Sequence, residues 1–111
     1  MKNNTFFSSK EAAMLIEYFM EHIQHTRIKK NENKLYFSVE DFTNLFGIEA
    51  NGLENTIEIL RKSFIGFNII SSDYGFFHKF TLLKTIEINA PSMVLVVLNP
   101  EIVRQIYPNL D

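Results

Sequence analysis

Residues 38–65 read SVEDFTNLFGIEANGLENTIEILRKSFI, and this stretch decides the fold. Ser38 with Asp41 three residues on is an N-cap signature, and Val39, Phe42, Leu45 and Phe46 then repeat at helical spacing. Gly47 is the natural stop, because the residue just past a helix often takes a positive φ. After Ile48-Glu49-Ala50, Asn51 is in position to cap a further helix, with Leu53, Ile57, Leu60 and Phe64 as its buried stripe and Gly66 at its end. Two short helices joined by about four residues including a glycine make a helix-turn-helix unit.

Working outward, Ser8 and Glu11 stand in capping-box spacing and open a first helix. Its stripe is Ala12, Leu15, Ile16, Phe19, Met20 and Ile23, and it fades near His25. A polar stretch from Thr26 to Lys34 leads to the short apolar Leu35-Tyr36-Phe37. Downstream of the helix pair the period changes from helical to strand-like. Phe67-Asn68-Ile69-Ile70 reads as a strand and Ser71-Ser72-Asp73-Tyr74-Gly75 as a turn. Residues 76–88 read as one strand with Phe80, Leu82, Ile86 and Ile88 on one face and Thr81, Leu83, Thr85 and Glu87 on the other. Asn89-Ala90-Pro91-Ser92 turns the chain into Met93–Leu98, and Asn99-Pro100-Glu101 starts a last helix that Pro108 ends. The expectation is an α+β domain of winged-helix type, a helix-turn-helix with a β-hairpin wing and a C-terminal helix.

Composition bounds what such a domain does. A chain of 111 residues with 46% hydrophobic side chains has material for one core and one domain. Eleven Lys and Arg against thirteen Asp and Glu leave a net charge of −2, which excludes a polycation-like nucleic-acid binder but not a local basic patch. The absence of cysteine excludes disulfides, thiolate metal sites and a cysteine nucleophile, and suits a cytoplasmic protein. No stretch approaches 18 uninterrupted apolar residues, so no membrane association is expected. Asn, Ile, Lys, Phe and Tyr supply 47 of the 111 residues, and their AT-rich codons suggest a bacterial source.

Catalytic constellations are weak. His22 and His25 lie three apart beside Glu21, but zinc sites need a fuller ligand set, so two surface histidines are the simpler reading. His78 has no Ser or Asp at triad spacing. Glu54 and Glu58 lie four apart on what reads as a solvated helical face, and the four glycines are scattered at 47, 52, 66 and 75. Neither an enzyme nor a cofactor is expected.

Signals for nucleic acid are local. Arg27, Lys29, Lys30 and Lys34 place four cations within eight residues. A loop of this kind suits a phosphate backbone, and equally a solvated surface. The third helix would expose Glu54, Asn55, Glu58, Arg61 and Lys62, acidic at its front and basic at its back. A reading helix leads with its N-terminal residues, so this one is a poor reader of bases. His78, Lys79 and Lys84 are candidate wing contacts to phosphate. Met93–Leu98 is apolar on both faces, as a central strand or one joined across a dimer would be. Phe76 and Phe77, adjacent on a strand, cannot both face the core. Phe76, Phe77, Met93 and Leu95 are therefore candidates for a dimer interface.

Three stretches carry a family likeness. DFTNLFGI at 41–48 with IEILRKSFIGFNI at 57–69, FTLLKTIEI at 80–88, and VLVVLNPEIV at 94–103 together resemble the first winged-helix domain of plasmid replication initiator (Rep) proteins of the iteron-binding kind. The resemblance spans about 60 residues within 41–103. It implies a role in plasmid DNA replication initiation, with residues 1–111 as the N-terminal winged helix of a longer two-domain initiator. It further implies dimerisation and backbone contact with double-stranded origin repeats, most base reading falling to a second domain, and contact with host replication proteins. Two other readings stay open: a stand-alone winged-helix transcriptional regulator, and a protein-binding winged helix without DNA affinity.

Overall fold

The computed structural model describes residues 5–26, 33–71, 74–89 and 92–106. In chain order it holds β1 (Thr5–Phe7), α1 (Lys10–Thr26), β2 (Lys34–Ser38), α2 (Val39–Phe46), a 3-10 turn (Ala50–Gly52) and α3 (Leu53–Lys62). Then come β3 (Phe64–Ser71), β4 (Tyr74–Thr81), β5 (Leu83–Asn89), β6 (Met93–Leu98) and α4 (Pro100–Ile106). The strands form two antiparallel three-stranded sheets, β1-β3-β4 and β2-β6-β5.

The helix pair forms as its sequence directs. Ser38 is extended and its Oγ accepts the Asp41 N–H at 3.0 Å. Gly47 ends α2 at φ 63°, where its N–H reaches back to the Asn44 carbonyl. Phe42 is fully buried and Phe46 nearly so, their rings tilted 55° to each other with centroids 4.9 Å apart. Ala12, Leu15, Ile16 and Phe19 of α1 are buried as well, and they join Ile57 and Leu60 of α3 in one core.

Four boundaries differ from the sequence reading. Asn51 falls inside the 3-10 turn, and α3 starts after Gly52 without a side-chain cap. The end of α3 lies at Lys62 rather than at Gly66, because Ser63 turns extended and Phe64 already belongs to β3. Phe64 fits the helical stripe by spacing alone. At the start of α1 the cap is Ser9, whose Oγ accepts the Ala12 N–H at 3.1 Å. Ser8 instead ties α1 to the sheet: its Oγ accepts the Phe64 N–H at 2.8 Å, and its own N–H donates to the Phe64 carbonyl. Finally, the expected single strand 76–88 is two strands. The wing is the β3–β4 hairpin, and the chain leaves it at Leu82 to enter the other sheet as β5. Residues 72–73 of the expected 71–75 turn, residues 90–91 of the expected 89–92 turn and the expected stop at Pro108 lie outside the described residues, while Ser71, Tyr74 and Gly75 belong to β3 and β4.

Leu82 is wholly buried and fixed on both sides. Its N–H donates to the Ser63 carbonyl at 3.0 Å, and its carbonyl accepts the Asn99 N–H at 3.0 Å. The Asn99 amide donates to the Thr81 carbonyl at 3.0 Å while its Oδ1 accepts the Glu101 N–H, so one side chain caps α4 and clamps the corner. A second buried knot forms at Ser63. Its Oγ donates to the Ile59 carbonyl at 2.6 Å, so Ser9 Oγ, 2.8 Å away, donates to Ser63 while accepting from Ala12.

Two stability outcomes follow from these knots. Leu82→Ala is expected to lower the unfolding free energy by about 2–5 kcal/mol in urea titrations, the range for a fully buried leucine. Ser63→Ala strands the Ser9 hydroxyl and is expected to cost about 1–3 kcal/mol. A loss below about 0.5 kcal/mol at either position would contradict the packing described.

Candidate nucleic-acid interface

The corner at Leu82 gathers cations that are far apart in sequence. Lys62 precedes Ser63, whose carbonyl holds the Leu82 N–H. Lys84 lies two residues beyond Leu82, at an irregularity between Leu83 and Thr85 where β5 slips register against β6. Lys79 lies three residues before it, opposite Gly66 in the wing. Lys34 follows Asn33, whose carbonyl accepts the Leu98 N–H at 2.8 Å and whose amide donates to the Leu98 carbonyl. Lys34, Lys62, Lys79 and Lys84 are all exposed. Lys34 pairs with Val97, and Val97 with Thr85, which places Lys34 about 10 Å from Thr85 across β6 at ordinary strand spacing.

The local surroundings suit anion contact. Lys79 Nζ lies 4.4 Å from the centroid of the Phe64 ring, which holds the ammonium against the sheet. Phe6, 44% exposed, meets the same ring edge-on at 5.8 Å. Glu101 lies close to this corner, paired with Arg104 of α4. The short strand β1, which brings Phe6 here, gave no sequence signal beyond three residues, and the role of Phe64 was hidden by its helical spacing.

Other expected contacts separate from this group. Arg61 is engaged: it forms a 2.7 Å ion pair with Glu58 and donates to the Ile86 carbonyl at 3.3 Å. Glu54 and Glu58 are exposed along α3, so the helix that would enter a groove presents carboxylates first. Arg27, Lys29 and Lys30 lie outside the described residues. His78 stands in β4 opposite Phe67. His22 of the candidate metal pair stacks on Tyr18 at 5.7 Å and 11°, and among the described residues no three His, Cys, Asp or Glu side chains come together as metal ligands.

The dimer candidates divide likewise. Phe76 and Phe77 stand in β4 opposite Ile69 and Asn68. Met93 and Leu95 lie on the face of β6 that carries its outward side chains, with Met93 38% exposed and Leu95 half-buried. Tyr36, 65% exposed and paired with Leu95, belongs to the same face, although its place within Leu35-Tyr36-Phe37 gave no reason to single it out. β6 is the central strand of its sheet, with β2 and β5 on its two edges, so it has no edge to lend to another chain. Any association through Met93 and Leu95 is therefore face to face. Among the described residues, no helix is long and apolar enough to cross a membrane.

No protein-family model matches the chain, and no curated protein matches it. Among solved structures it is similar to the WH1 domain of MSBI1.176, a replication protein isolated from a multiple sclerosis patient. The likeness has a TM-score of 0.52 at 15% identity and covers 88% of this chain and 79% of that one. With the helix pair, the wing and the C-terminal helix in place, the chain has a winged-helix fold.

Proposed function

We propose that this winged helix serves a DNA replication initiator by holding duplex DNA through its phosphates and by pairing with a second copy of itself. The observation that carries the reading is that Lys34, Lys62, Lys79 and Lys84, all exposed, stand on segments whose backbones meet at or near the Leu82 corner. Four cations from four separate elements supply the charge that positions a protein on a duplex. The acidic front of α3 argues in the same direction, because Glu54 and Glu58 would meet phosphates before any base. Similarity to a replication-protein WH1 domain supports the replication context. Origin repeats are the proposed duplex, and a second domain of the same initiator is the proposed base reader. The surface of exposed Tyr36 and Met93 with half-buried Leu95 is the proposed meeting face of two copies. The same surface favours the second reading, a winged helix that binds another protein and no DNA.

Lys34→Ala combined with Lys79→Ala is expected to weaken duplex binding by a similar factor for every sequence. The slope of log affinity against log salt should fall by about 0.9 for each lysine removed, as measured by fluorescence anisotropy. Loss confined to one sequence would contradict backbone contact.

Tyr36→Glu with Met93→Glu buries charge in the proposed face and is expected to raise the dimer dissociation constant at least ~100-fold in sedimentation velocity, an effect of roughly 3 kcal/mol. An unchanged dimer, or a monomeric wild type at high concentration, would remove self-association from the proposal.

A further inference from the structure

The edge of sheet β2-β6-β5 beside α3 combines an apolar floor with backbone that no described strand pairs. Among the described residues, β5 has β6 as its only strand neighbour. The direction of its backbone groups follows from β6. Leu98 N–H donates to Asn33 on the β2 side, so by alternation Val96 and Val94 also face β2, and Val97, Leu95 and Met93 face β5. Their partners Thr85, Glu87 and Asn89 therefore bond to β6, and Ile86 and Ile88 aim their N–H and C=O groups away from the sheet. Arg61 reaching the Ile86 carbonyl from α3 agrees with that direction.

Beside this edge lies a groove of about 340 Å³ lined by Glu54, Ile57, Glu58, Arg61, Ile86 and Ile88. Its floor is isoleucine, and Ile88 is 50% exposed although it lies on the inner face of the sheet. Its rim is acidic: Glu54 and Glu58 stand on the helix side, against the single cation Arg61. Glu87 is exposed on the opposite face of β5. Lys84 lies at the other end of the strand, beside the irregularity. An added strand would place alternate side chains over the isoleucine floor and the others beside Glu87.

We propose that the β5 edge is a docking site for an extended, cationic segment of another protein, with apolar residues alternating with lysine or arginine. The segment adds as a strand, its N–H groups taking the Ile86 and Ile88 carbonyls. Its apolar side chains fill the groove, and its cations lie beside Glu87 on the opposite face. Arg61 gives up its long contact to the Ile86 carbonyl and keeps Glu58.

The test is fluorescence anisotropy of the 111-residue protein with a labelled peptide of alternating valine and lysine. In an antiparallel pair, cross-strand partners share a face, so the valines stand opposite Ile86 and Ile88 and use their N–H groups in the ladder. Saturable binding is expected, weakened about threefold by Glu87→Gln. It should be lost with N-methylated valines and kept with N-methylated lysines. Three results would overturn the proposal: no saturation by the valine–lysine peptide, equal binding of a valine–glutamate peptide, or tolerance of methylated valine. A fourth would as well, namely Ile86 and Ile88 amide signals in NMR that shift with protein concentration alone, which would assign the edge to a second copy.

Discussion

The chain passes from one sheet to the other at Leu82, and that passage organises the molecule. A single buried residue has its N–H held by Ser63 and its carbonyl held by Asn99. Ser63 is the first residue after the α3 helix, and Asn99 the last before α4. The two bonds therefore lock both helices to the crossing point. Asn99 adds a third bond to Thr81 at the end of the wing. Because buried backbone groups without partners are costly, this arrangement fixes where the wing ends and where the second sheet begins.

Function follows from what the crossing brings together. Lys62, Lys79 and Lys84 lie within three residues of atoms bonded at the corner, and Lys34 joins them through Asn33 and Leu98. On a chain of net −2, four exposed lysines thus stand on the segments that meet here. The opposite tendency holds along α3, where Glu54 and Glu58 line a groove against β5. A winged helix that presents carboxylates from its second helix-turn-helix element is suited to phosphate contact elsewhere on its surface. Its acidic side is where we propose a cationic protein segment docks.

Much of this was legible in the residues. Ser38, Gly47 and Asn99 each act at the cap position their chemistry suggested, because capping depends on local geometry alone. The stripe of α1 and the winged-helix order also followed from spacing. What was missed shares a cause: local pattern has more than one solution. Phe64 satisfies a helical stripe and a strand equally, and Ser8 and Ser9 are both competent caps until Phe64 claims Ser8. The alternation across residues 76–88 reads through Leu82 because both sheets keep the same period of two. The cationic corner was visible only as separate lysines, since hydrogen bonds between distant segments decide their neighbourhood. Arg61 was legible as a cation but not as one spent on Glu58 and Ile86.

The most direct test of a backbone-holding winged helix is the affinity of the wild-type chain for several duplexes of unrelated sequence across a salt series. Affinities within about threefold of one another are expected, with a log–log salt slope of about −3 to −4 from four phosphate contacts at about −0.9 each. Discrimination of ~100-fold or more among sequences, or no binding at low salt, would contradict it.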